Sequence, residues 1–276
     1  MSPAVKQAPP LQARTVSDDQ STIDSLRLLG NAQLPPPPPP DAPEPPPVYV
    51  PDRLDIRFSA AVEHPPDVLR DLPLAAMPAD DWEQVRLLRD NLWEAQENGL
   101  ESAPPFSMIG IAGLGSQDDR WALSVALWAS HRELVDCRVL LIDTDASAAP
   151  SLATPQLNNT PGLVDLLYDE SITLSSVLQR VQGTQLYLIS PGTPAAGALD
   201  PIDFRGARPI LAQLRKHFDF VFFHLPDRTQ PADLSAWTRL TDGVVLTCKR
   251  QSDTYQDAEA LLACVPSHKA LGWAFL

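Results

Sequence analysis

The sequence predicts a three-layer α/β fold: a mostly parallel sheet with helices on both faces, preceded by a disordered Pro-rich N-terminal tail. Three observations carry that reading. From residue 107 onward, apolar runs with strand character alternate with helical stretches, as βαβ crossovers require. Val139–Ile142 and Phe220–Phe223 are apolar at every position, the pattern of central strands covered on both faces. Of the 30 prolines, most of the clustered ones precede Asp52, including an unbroken run from Pro35 to Pro40, so the compact domain starts late.

Residues 1–51 are poor in large apolar side chains and cannot bury enough surface to offset the entropy of ordering. Within them, Pro35–Pro40 predicts a polyproline II rod, a spacer or a docking strand. Ser21-Thr22-Ile23-Asp24, followed by Leu26, Leu29 and Gly30, has the spacing of a short capped helix. Residues 52–79 are assigned to a linker and 80–276 to the domain. The domain opens on a helix from Asp80 to about Gln96, with Trp82, Val85, Leu88 and Leu92 on one face and Glu83, Arg86 and Arg89 on another. After Pro104-Pro105, strands are predicted at 107–112, 138–143, 185–189, 219–223, 243–247 and 270–275, with helices between them.

A net charge of -14 repels phosphate backbones and anionic lipid, so nucleic acid is not an expected partner. No stretch approaches the length of a membrane span and the start of the chain does not read as a signal peptide, which places the protein in the cytoplasm with no direct membrane insertion. Cys137, Cys248 and Cys264 stand far apart in apolar runs and read as buried free thiols. No metal site is expected.

In such a sheet, the first strand, its glycine loop and the following helix make the natural phosphate cradle. Here that segment is Met108-Ile109-Gly110-Ile111-Ala112-Gly113-Leu114-Gly115-Ser116-Gln117-Asp118-Asp119-Arg120-Trp121. A working P-loop closes on Gly-Lys-Ser/Thr, the lysine reaching phosphate and the hydroxyl holding magnesium. Arg120 and Trp121 take those places, and indole offers no oxygen to a metal. Asp118 and Asp119 add repulsion. A carboxylate roughly 4 Å from a phosphate charge costs about 4 kcal/mol at an effective dielectric near 20, half of the ~8 kcal/mol that micromolar affinity represents.

Several segments in order resemble the cytoplasmic tyrosine kinases of bacterial capsule and exopolysaccharide systems, within the MinD/ParA-like group of P-loop proteins. Glu83-x-x-Arg86-x-x-Arg89 with Asn91-Leu92 is similar to that family's oligomerisation helix. Val139–Asp145 is similar to its second, aspartate-bearing strand, and Pro161–Leu167 to its GLxDLL segment. Leu188–Gly192 is similar to its xLPxG strand end, Phe218–Pro226 to its FDxVxxDxP stretch, and Asp242–Leu246 to the strand after it. The resemblance covers about residues 80–276.

Three departures accompany it. The loop lacks its lysine and hydroxyl; His224 stands where the family has a magnesium-placing aspartate; and no tyrosine-rich tail follows the last strand, Tyr49, Tyr168, Tyr187 and Tyr255 being scattered. Gly113, Gly115, Arg120, Asp143, Asp145 and His224 are therefore read as a vestigial nucleotide site with no catalytic residue. Asp143 and Asp145 either keep a place near phosphate and metal or cap the loop after a buried strand. ATP and magnesium are not expected as cofactors, although weak residual nucleotide binding stays open.

The resemblance with its departures implies a catalytically silent pseudo-kinase or adaptor; by the resemblance its partner is the cytoplasmic tail of a membrane polysaccharide co-polymerase, and a homo- or hetero-oligomer with a related kinase stays open. That would place it at the inner membrane through a partner. Two alternatives stay open at this stage. One is a MinD/ParA-like positioning factor for a secretion or pilus machine, and the other is an active tyrosine autokinase with a non-standard loop.

Overall fold

The structure, a computed structural model, describes residues 52–64, 79–97, 106–114, 123–124, 127–129, 137–145, 161–192, 204–226, 230–248 and 253–275. The Pro-rich tail with the short helix expected in it, the loop residues Gly115 and Arg120, and the rest of the glycine-loop segment through Trp121 lie outside the described residues.

Eight strands form one sheet: β1 (Val62–His64), β2 (Met108–Gly113), β3 (Val139–Asp143), β4 (Gln179–Val181), β5 (Leu186–Ile189), β6 (Phe220–His224), β7 (Gly243–Cys248) and β8 (Ala270–Phe275). Their order is β1-β4-β5-β3-β6-β2-β7-β8. All neighbours are parallel except β4 and β5. The six strands read from the sequence are present within a residue or two of the expected ends.

The helices are α1 (Ala79–Glu97), α2 (Leu163–Tyr168), α3 (Leu174–Val177), α4 (Phe204–His217), α5 (Pro231–Leu240) and α6 (Tyr255–Ala263). Residues 123–124 and 127–129 are also helical. Alternation along the central strands divides the core into two layers. Ile109, Ile111, Val139, Leu141, Phe220 and Phe222 face Val85 and Leu92 of α1 together with Leu123 and Leu127. Leu140, Ile142, Val221 and Phe223 face Leu163 of α2, Leu174 of α3, Leu214 of α4 and Trp237 of α5. Each strand face is fully covered, which is why the runs are apolar at consecutive positions rather than every second one.

Local sequence choices set the element ends. Thr254 Oγ1 accepts the Asp257 N–H at 3.2 Å while the Asp257 carboxylate accepts the Thr254 N–H at 3.3 Å, a reciprocal box that starts α6. Pro231 stands in the first turn of α5, where its missing N–H is no loss. Lys269 Nζ donates to the Thr238, Arg239 and Thr241 carbonyls at 3.2, 2.8 and 2.6 Å, closing the other end of that helix.

Two expectations need correction. Residues 52–64 are not linker: short 3-10 turns at Asp52–Leu54 and Phe58–Ala60 lead into edge strand β1. Leu54 is 2% exposed within the core, and Arg53 Nη1 donates to the Leu166 and Asp169 carbonyls at the end of α2. Phe58 packs on Tyr187 and Phe218 with ring centroids 5.1 and 5.8 Å apart. Leu54, Ile56 and Phe58, the apolar anchors of a polar, proline-flanked segment, are too few to make a periodic signal, yet they suffice to seat it. Second, only Cys137 among the three free thiols is buried; Cys248 and Cys264 are half-buried.

Candidate functional site

The chain leaves β2 toward β3 on one side of the sheet and leaves β6 toward β7 on the other. The C-terminal ends of β2 and β6 therefore flank the point where strand order reverses, the place where open α/β sheets bind ligands. Gly113 ends β2 and is buried, and His224 ends β6.

His224 is paired in register with Asp143, the last residue of β3. His224 is 1% exposed and Asp143 4%. Imidazole Nδ1 lies 3.3 Å from Asp143 Oδ1, hydrogen-bond distance for the tautomer that carries its proton on Nδ1. The same Oδ1 accepts the Asp145 N–H at 3.0 Å, so the Asp143 carboxylate also caps the turn that follows its strand. Thr144 fastens that turn to β6, its N–H and its hydroxyl both donating to the His224 carbonyl, at 3.1 and 2.8 Å. Asp145, 3% exposed, accepts from Gln230 Nε2 at 3.2 Å. Gln230 is the N-cap residue of α5, so Asp145 is held beside a helix N-terminus, where the macrodipole favours a carboxylate.

Alternation along β5 and β3 places Ser190, one residue past β5, on the same side as Asp143, since Ile142 pairs with Ile189. Ser190 is 4% exposed, and its Oγ has no hydrogen-bond partner among the described residues. A hydroxyl, a carboxylate and an imidazole thus follow one another across the C-terminal edge of three adjacent strands.

Magnesium takes oxygen ligands in a near-octahedral shell. Here Asp143 Oδ1 is already engaged by an imidazole and a backbone N–H, and the neighbouring strand end offers nitrogen where a second oxygen would serve. The described part of the site does not fit magnesium. Among the described residues no cluster of three His, Cys, Asp or Glu is placed to hold any metal ion.

Beside this edge, two of the segments singled out in the sequence meet. Leu163 and Val164 donate backbone hydrogen bonds to the carbonyls of Ser190 and Pro191 at 2.9 and 3.0 Å. Asp165 Oδ2 accepts the Gly162 N–H at 2.7 Å. Gly192, at φ +87°, approaches both Gly162 and Asp165 so closely that side chains at either glycine would collide with its neighbour. The glycines of the two segments are thus explained by one backbone contact.

The fold compares with that of solved structures. The chimerical protein CapA2B2 superposes with a TM-score of 0.60 at 17% identity, over 80% of this chain and 90% of that chain. The kinase domain of Escherichia coli tyrosine kinase ETK gives 0.55 at 19%, over 70% and 74%, and the BceF tyrosine kinase domain 0.53 at 21%, over 79% and 83%. The chain has the fold of bacterial tyrosine kinase domains. No protein-family model matches it, and no curated protein matches its sequence.

Within this kinase-domain fold, the structure brings Asp143, Asp145 and His224 to one edge with Gly113 at the adjacent strand end. Gln230 joins them without a sequence signal, because a lone amide at an element end has no characteristic spacing, and Ser190 joins them from within the Leu188–Gly192 segment, where it was not read as a site residue. The helix α1 element is less uniform than its spacing implies. Glu83 is exposed and Arg86 half-buried, but Arg89 is 6% exposed and paired with Asp90 at 2.8 Å. Successive steps of three residues drift around a 3.6-residue helix, which carries Arg89 toward the buried face of Val85 and Leu92. Among the described residues no helix is long and apolar enough to cross a membrane.

Proposed function

We propose that the chain is a catalytically silent pseudo-kinase that serves as an adaptor in bacterial exopolysaccharide or capsule biosynthesis and export. One observation carries the reading. A buried imidazole, His224, occupies the strand end beside Asp143 and engages its carboxylate at 3.3 Å, where magnesium would need open oxygens. With Arg120 and Trp121 at the loop positions where a P-loop needs lysine and a hydroxyl, neither ATP nor magnesium is a working cofactor.

On this reading the kinase-domain fold is kept as a docking body. The partner is the cytoplasmic tail of a membrane polysaccharide co-polymerase, which brings the protein to the inner membrane without insertion. Assembly with itself or with a related kinase runs through α1, led by the exposed Glu83 and the half-buried Arg86. Arg89, buried and paired, orients the helix rather than reaching across.

Imaging a fluorescently tagged full chain in its host, with and without the co-polymerase, tests this. Peripheral membrane signal that disperses when the co-polymerase is deleted supports the adaptor. Polar foci that persist without it point to a positioning factor for a secretion or pilus machine. Phosphotyrosine detected by mass spectrometry on the chain, purified after expression alone, shows an active autokinase and contradicts the proposal.

A further inference from the structure

The opposite, N-terminal edge of the sheet carries a cavity of about 470 Å³ lined by Gln96, Arg138, Gln185, Lys216 and Asp219, among others. Its walls come from residues just ahead of β3, β5 and β6 and from the last turns of α1 and α4. It lies at the far end of the strands from His224 and Asp143, and nothing in the functional reading above uses it.

The charge here runs against the rest of the molecule. In a chain of net charge -14, the cavity gathers Arg138, Arg215, Lys216 and His217 against a single lining carboxylate, Asp219. Arg215 is neutralised by Asp242, through bonds of 2.7 and 2.8 Å. Asp219 is engaged by the Arg138 backbone N–H at 2.7 Å. Arg138 and Lys216 are both exposed, and neither has a carboxylate partner among the described residues.

Cations in the last turn of a helix complement its dipole, which accounts for Lys216 on α4. It does not account for Arg138, which precedes a strand. The Arg138 guanidinium is instead held over the Phe58 ring, 4.8 Å from its centroid, leaving its N–H fork available at the rim. The His217 ring stands edge-on to the same Phe58 at 6.0 Å. Burial holds the His217 pKa below 6.5, and Arg138 and Lys216 each lower it further, with Asp55 opposing.

We propose that this cavity binds a small phosphorylated molecule, with Arg138 and Lys216 as its anion ligands and the amides of Gln96 and Gln185 within the same walls. The volume suits a small organic phosphate, and a planar guanidinium beside a compact ammonium is a pairing that matches phosphoryl oxygens.

Calorimetric titration of the full chain with pyrophosphate, using citrate and a Glu-rich peptide as comparison anions, tests it. The expected result is saturable pyrophosphate binding with a Kd below about 1 mM. Arg138→Gln and Lys216→Gln should each weaken it about tenfold, while Arg138→Lys restores part of the loss. The His217 ring resonances should shift during the titration. No saturable pyrophosphate binding overturns the proposal. So does binding that both substitutions leave unchanged, or binding of the peptide or of citrate at equal strength, since each places the anion elsewhere or makes the cavity unselective. The pyrophosphate arm is independent of catalytic silence, because affinity at the C-terminal edge would survive loss of Lys216 and leave His217 unmoved.

Discussion

His224 Nδ1 and Asp143 Oδ1 meet 3.3 Å apart across adjacent parallel strands, both side chains almost wholly buried. The pair satisfies a carboxylate that the interior would otherwise leave to a cation. Replacing His224 with Ala removes a partner from a buried acid and should cost about 1–3 kcal/mol of stability. His224→Asp sets two carboxylates side by side and should cost at least as much, with magnesium recovering part of the loss. Urea denaturation at neutral pH, with and without magnesium, measures both.

Asp242 holds the other end of the sheet. Its Oδ2 accepts the Ser107 and Met108 N–H groups at 2.9 and 2.8 Å, and its two oxygens take the Arg215 fork. Asp242→Ala strands two backbone donors and a guanidinium, for an expected loss of about 2–4 kcal/mol in chemical denaturation.

The central strands were legible because each is buried on two faces and so is written in consecutive apolar residues, as in Val139–Ile142 and Phe220–Phe223. The two short strands were not. Val62–His64 and Gln179–Val181 hold three residues each, mostly polar, at one side of the sheet, and their pairing rests on backbone bonds and on contacts such as His64 Nε2 to Gln179 Oε1 at 2.7 Å. Of the site, Asp143, Asp145 and His224 were legible through the resemblance, at its aspartate-bearing strand and its FDxVxxDxP stretch. Gln230 was not, because what makes it notable is its bond to Asp145, distant in sequence, and the burial of the Ser190 hydroxyl is likewise set by the fold.

Leu54 tests whether residues 52–64 belong to the folded body. Leu54→Ala should cost about 2–5 kcal/mol, the ordinary penalty for a core leucine, where a linker residue would cost almost nothing. Thermal or urea unfolding decides between them.

The contact between Gly162 and Gly192 predicts an intolerance with two causes. An added methyl at Gly162 strikes the Gly192 backbone, and one at Gly192 meets Asp165 Oδ2 at 2.5 Å from a left-handed conformation. Each Ala substitution should destabilise by about 1–3 kcal/mol, read as a fall in the denaturation midpoint.

His217 gives a pH dependence of defined sign. Its pKa is lowered from 6.5, first by burial and then by Arg138 and Lys216, with Asp55 opposing. The unfolded chain therefore binds the proton more readily, so stability should rise with pH between the folded pKa and 6.5 and level off above it. His217→Gln should flatten that rise. NMR titration of the ring should place its midpoint below 6.5, and higher in Lys216→Gln.

Nucleotide affinity of the intact protein bears most directly on catalytic silence. Isothermal titration with ATP should give no saturable heat that depends on magnesium, and any magnesium-independent binding should be lost in Lys216→Gln. Saturable, magnesium-dependent binding in the micromolar range would show that the edge formed by Gly113, Asp143 and His224 still grips a triphosphate, and would contradict the account.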